Sequence, residues 1–174
     1  MFIQDTSLAH PMEQRIAWAE YCYTQLKEKL LGDPKLHDLL GRLRVAITDS
    51  HREMGELGIG DFCKACEEKE GGSCCGAGLE DHYSGTLLLI NLLLGKDIPS
   101  EREEYSSCLF LSRKGCQLLA RHVLCVNYLC KKMTDRFTPQ ELSSLREKEG
   151  VELELVFLLN EGIKKVLARP PTPA

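Results

Sequence analysis

Apolar side chains recur at three- and four-residue steps through residues 12–31, with Met12, Ile16, Ala19, Cys22, Leu26 and Leu30 on one face. That period predicts an amphipathic helix, and Trp18 and Tyr23 widen its apolar stripe. Asp33-Pro34 ends this helix and opens the next, because aspartate caps a helix well and proline fits the first helical position. The second helix carries Leu36, Leu39, Leu40, Leu43, Ile47 and Met54 on its buried side and is expected to stop among Gly55, Gly58 and Gly60. Together the two predict a helical hairpin over residues 1–57.

From residue 61 to 78 the periodicity gives way to a cysteine-bearing stretch punctuated by Gly71, Gly72, Gly76 and Gly78. It reads as loop, since glycine lets a backbone wrap closely around an inorganic centre. A strongly apolar helix is expected over residues 79–94, then a polar link around residues 99–107. The apolar runs 108–111 and 115–119, on either side of Ser112-Arg113-Lys114, predict a small β-hairpin. Another helix is expected from Cys125 to Arg136. Thr138-Pro139-Gln140-Glu141 is a capping box with proline in the first turn. The helix it starts carries Leu155, Leu159, Ile163, Val166 and Leu167, with Lys164, Lys165 and Arg169 towards its negative end. Gly150 is expected to break or bend that helix, and the Pro-rich tail to fray. The fold class is therefore mainly α in a single domain over residues 1–174: about five helices around a loop-rich cysteine core. Its parts are the hairpin over 1–57, the cysteine core over 58–136 and a C-terminal helix over 137–174.

The length of 174 residues can bury a core without covalent staples. The net charge of −4 argues against a broad nucleic-acid or acidic-membrane surface. The run Leu87–Leu94, interrupted by Asn91, is too short to span ~30 Å of hydrocarbon, which takes about 20 helical residues. Met1 to Ser7 lack a basic and then apolar leader pattern. The expectation is a cytosolic protein, where thiols stay reduced and metal ligation outweighs disulfides.

That matters because eight of the nine cysteines fall between positions 63 and 130, in two groups of four. The first is Cys63, Cys66, Cys74 and Cys75, and the second is Cys108, Cys116, Cys125 and Cys130. Thiolates are soft ligands for zinc or cluster iron. Cys63-x-x-Cys66 is a two-ligand knuckle whose sulfurs can converge on one metal. Adjacent Cys74 and Cys75 should diverge, either to different centres or with one thiol outside a ligand set. Four-thiolate zinc and [4Fe–4S]²⁺ sites each carry a formal charge of −2, which nearby cations stabilise. Lys64, Lys69, Arg113, Lys114, Arg121, Lys131 and Lys132 are the candidates, with Lys69 and Lys132 better read as solvated.

Cys63-x-x-Cys66, Cys74-Cys75, Cys108-x-Phe110-Leu111, Gly115-Cys116, Arg121-x-x-x-Cys125 and a final Cys130 form an ordered pattern that resembles the YkgJ-type cysteine-cluster proteins. The resemblance covers about residues 61–131 and implies a zinc- or iron-chelating protein. This chain has His122 where the family usually has proline and Val126 where an arginine commonly follows the cysteine. Without histidine in the pattern, and with apolar flanks, an iron–sulfur cluster, [4Fe–4S] first, is the preferred cofactor and zinc the alternative. The expected role is electron transfer, or service as a subunit or accessory of a redox enzyme with a protein partner. A structural zinc module is the second reading. A third is an S-adenosylmethionine-dependent enzyme, because related clusters occur in flagellin lysine methylases. The chain shows no catalytic motif of its own. Gly76-Ala77-Gly78 lacks the strand that a nucleotide loop needs, Cys22 reads as a core thiol, and His82 as an ordinary histidine.

Overall fold

The computed structural model describes residues 8–70 and 74–168, the side chains of 67–70 excepted. Among them the fold is mainly α, with seven α-helices, one 3₁₀ turn and one two-stranded sheet. Helix α1 (Met12–Gly32) buries Met12, Ile16, Ala19, Cys22 and Leu30, the stripe its period predicts. Helix α2 (Pro34–Glu56) starts where Asp33 accepts the N–H groups of Lys35 and Leu36, and it buries Leu36, Leu39, Leu40, Leu43 and Ile47. A single residue separates the two helices. They touch, but each turns its main face elsewhere, α1 onto α4 and α2 onto α7.

Three local expectations are corrected. Residues 61–70 are helix rather than loop: α3 (Ile59–Glu70) follows α2 after a short turn in which Gly58 takes φ 67°. Lys64 to Glu70 is an unbroken run of adequate helix formers, so the Cys63-x-x-Cys66 pair rides on a helix. The apolar segment is a 3₁₀ turn (Leu79–His82), a break at Tyr83, then α4 (Gly85–Leu93), which Ser84 caps by accepting from Leu87 N–H. In place of one helix from Cys125 to Arg136 there are two short ones, α5 (Val123–Asn127) and α6 (Lys131–Thr134), parted by extended Tyr128 and Cys130.

Helix α7 (Pro139–Leu167) carries the capping box of Thr138 and Glu141 and runs through Gly150 unbroken. It lies along α2, and the pairs Ser50–Glu152 and Glu53–Lys148 cross between them. Packing against α2 keeps the helix continuous where propensity alone would weaken it. The main core joins α1, α2, α4 and α7 to Cys108, Phe110, Leu118 and Ala120 from the cysteine segment. A smaller one gathers Ile59, Met133 and Leu145 with Phe62, Leu129 and Cys130. The expectations for Gly71, Gly72 and Arg169, the Pro-rich tail, the residues before Leu8 and the Lys69 side chain lie outside what is described. No helix among the described residues is long and apolar enough to cross a membrane.

Candidate metal centre

Backbone pairing brings distant cysteines together. Cys108 N–H donates to Cys75 C=O at 2.7 Å and Ala77 N–H to Ser106 C=O at 2.9 Å, while Gly76 bridges Ser107 in antiparallel fashion. These bonds set Cys75 beside Cys108. Three residues on, the expected hairpin forms: β1 (Leu111–Ser112) pairs with β2 (Gly115–Cys116) in the register Leu111↔Cys116 and Ser112↔Gly115. Gly115, at φ 106°, makes the tight return. The chain then passes Arg121 and enters α5, which carries Cys125.

Cys75, Cys108, Cys116 and Cys125 line one cavity of about 60 Å³, walled by Leu79, Tyr83, Phe110, Leu111 and Arg121. Tyr83 is 1% exposed and packs edge-on against Phe110, with ring centres 4.9 Å apart. Its hydroxyl donates towards Cys125 Sγ at 3.6 Å and accepts the His122 N–H at 3.0 Å. Burial pushes the Tyr83 hydroxyl pKa well up, with Cys125 and Cys116 adding to the effect, so it stays a donor. Burial likewise raises the Cys108 thiol to about 12. Cys116 is also raised by burial, but the Leu118 N–H and the charge of Arg121 work against it.

Arg121 is 7% exposed. Its Nη2 approaches Met54 Sδ at 3.4 Å and Glu152 Oε2 at 3.9 Å. Its Nε, and Oε1 of Glu152, are buried without a hydrogen-bond partner. Of the other basic residues, Arg113 and Lys131 pair at the surface with Glu104 and Asp135.

The remaining thiols gather next to this cavity and do not line it. Cys63 and Cys66 are one helical turn apart on α3, and Cys63 hydrogen-bonds Cys74, with Cys130 and Cys66 its next electrostatic neighbours. Cys74 takes hydrogen bonds from Cys63 and then Cys75, which lower its own pKa and raise theirs. Cys63 and Cys74 are exposed, Cys66 and Cys130 half-buried. All nine cysteines are thiols and none is disulfide-bonded. Among the described residues no three His, Cys, Asp or Glu side chains stand at metal-ligand separations. Cys22, at 0% exposure, sits in the main core, and His82 stacks on His122 with ring centres 5.5 Å apart.

Four positioning residues were not singled out by pattern. Asn91, fully buried on α4, donates to Ala120 C=O at 2.9 Å and accepts Leu119 and Ala120 N–H at 2.9 and 3.0 Å, holding the chain between Cys116 and Cys125. Glu80, 2% exposed, takes hydrogen bonds from Arg102, Gly78 N–H and Leu109 N–H. Burial pushes its pKa up, but those donors outweigh it and hold the carboxyl below its ordinary range. Arg15 holds the C=O groups of Asp81 and Tyr83 at 2.8 and 2.7 Å. Tyr83 is the fourth. A polar residue inside an apolar run, as Asn91 is, was the one signal available.

No family model, curated protein or solved structure matches this chain.

Proposed function

We propose that the chain is a metal-binding cysteine-cluster protein whose cavity thiols Cys75, Cys108, Cys116 and Cys125 hold an iron–sulfur cluster, and that it acts in electron transfer or as an accessory of a redox enzyme. The observation that carries this reading is the convergence of four thiols, drawn from three separate stretches, on one apolar-walled cavity that also holds a buried, underpaired cation. The donor set fits the group. Four thiolates are the usual ligands of [2Fe–2S] and [4Fe–4S] clusters, and Arg121 supplies positive charge against the net −2. The cavity also has room for a multi-atom centre: about 60 Å³, against the ~10–15 Å³ that one water needs. Ligation requires deprotonation of the thiols, so closure to bonding distance accompanies loading.

When bound, such a cluster supplies a one-electron redox couple. The protein's own part is to fix the four sulfurs through the 75–77/106–108 pairing and the hairpin, to exclude water with Leu79, Phe110 and Leu111, and to donate to Cys125 from Tyr83. The YkgJ-type pattern of residues 61–131 supports the same reading by resemblance.

Anaerobic purification followed by iron, acid-labile sulfide and zinc analysis tests it. The expected result is a brown protein with iron and sulfide that bleaches on reduction, and a lower iron and sulfide content in Cys116→Ser. A colourless protein with stoichiometric zinc overturns the electron-transfer role, and a metal-free one overturns the site.

A further inference from the structure

The cavity uses half of the clustered thiols. The other four are Cys63, Cys66, Cys74 and Cys130, and none of them lines it. We propose that these four form a second, more exposed site for a thiophilic metal, joined to the first through the Cys74–Cys75 peptide bond. The inference rests on the reading that the cavity binds metal, and adds a centre of different accessibility.

Two packing observations and one electrostatic one converge. Cys63 and Cys66 lie three residues apart on α3, a spacing that sets side chains on the same face of a helix. Phe62, next to Cys63, packs in the same small core as Cys130, together with Ile59, Met133 and Leu145, so α3 and the start of α6 meet at this point. Cys75 is pinned to the cavity by the 2.7 Å bond from Cys108 N–H and has Cys125 and Cys116 as its further electrostatic neighbours, whereas the first electrostatic partner of Cys74 is Cys63, ahead of Cys75. The adjacent pair therefore divides between the two groups.

Helical Cys-x-x-Cys pairs with two thiols from elsewhere make a four-sulfur donor set, suited to zinc or to the irons of a second cluster. Binding exchanges four S–H protons, released to solvent, for four metal–sulfur bonds, leaving a centre of net charge −2 when the ion is divalent. Cys63 and Cys74 are exposed and Cys66 and Cys130 half-buried, whereas in the cavity set Cys108 is buried, Cys75 and Cys125 are half-buried and Cys116 is exposed. The outer site, with two exposed thiols against one, is thus the one that exchanges metal with chelators faster.

Cobalt(II) titration of the reduced, metal-free full chain under anaerobic conditions decides the matter, because cobalt thiolate absorption counts occupied four-sulfur sites. The wild-type chain is expected to take two equivalents. Cys63→Ser/Cys66→Ser and Cys108→Ser/Cys116→Ser should each take one, Cys74→Ser should lose the weaker, chelator-accessible equivalent, and Cys75→Ser the tighter one. Far-ultraviolet circular dichroism of each variant confirms the helical fold. Wild-type uptake by Cys63→Ser/Cys66→Ser, or loss of the same equivalent from Cys74→Ser and Cys75→Ser, overturns the second site. Wild-type uptake by Cys108→Ser/Cys116→Ser instead overturns the cavity reading on which the proposal rests. Metal analysis of the purified Cys108→Ser/Cys116→Ser variant supports the site with either zinc or iron plus sulfide, and an absence of both counts against it.

Discussion

Asn91 does more for the site than its place in a greasy helix announces. Its side chain satisfies three backbone groups of Leu119 and Ala120 that have no strand or helix to bond with. Asn91→Leu keeps the volume and strands those groups in the core. At about 1–3 kcal/mol for each buried polar group left unpaired, the variant should lose roughly 3 kcal/mol or more of unfolding free energy, read as a lower urea midpoint. Metal uptake should weaken too, since the freed segment lies between Cys116 and Cys125. Features of this kind were illegible beforehand for a physical reason: the partners of Asn91 lie 28 and 29 residues away, and Glu80 reaches Arg102 across 22. Caps were legible because they are local. Asp33 and Thr138 each bond within three residues of themselves.

Elements were legible where one face met a core, and misread where glycine or cysteine outweighed propensity. The glycine-rich residues after α3 make it read as loop, yet its stretch from Lys64 to Glu70 favours helix. The continuous α7 shows the reverse case, in which Gly150 is tolerated because neighbouring turns are anchored by buried Glu149, Glu152 and Leu155. The two glycines of that helix should respond oppositely to a methyl group. A Cβ at Gly150 meets nothing within 4 Å, whereas one at Gly162 would come within 2.7 Å of buried Leu36 Cδ2. Gly150→Ala should stabilise by about 0.5–1 kcal/mol through helix propensity. Gly162→Ala should gain the same and lose more to overpacking, typically 1–3 kcal/mol, for a net fall in melting temperature. A rise for both would place α7 farther from α2 than described.

At the scale of the molecule, the helical scaffold and the sulfur-lined region share one core. Cys108 and Phe110 are packed with residues of α1, α2, α4 and α7, so ligation and folding should be coupled. Removing metal with a chelator is expected to lower the melting temperature of the whole domain in a single transition. Cys22→Ser serves as the control: it buries a hydroxyl in the same core, at a cost of about 1–3 kcal/mol, and should leave metal content unchanged. Loss of metal from that variant would move Cys22 into the ligand set. The mainly α architecture and the eight clustered cysteines could be read from spacing alone. Which sulfurs stand together could not, since it depends on long-range pairing of residues 75–77 with 106–108.

Arg121 stands between the sulfurs and helix α7, with one unshared N–H and a carboxylate 3.9 Å away on Glu152. Negative charge gathering on the sulfurs would draw that guanidinium off its carboxylate, and the change would be felt a helix away from any ligand. Amide hydrogen exchange around Glu149 to Leu155 would then act as a remote gauge of occupancy, slowing or quickening as the centre fills, even in a sample too dilute for its colour to be seen.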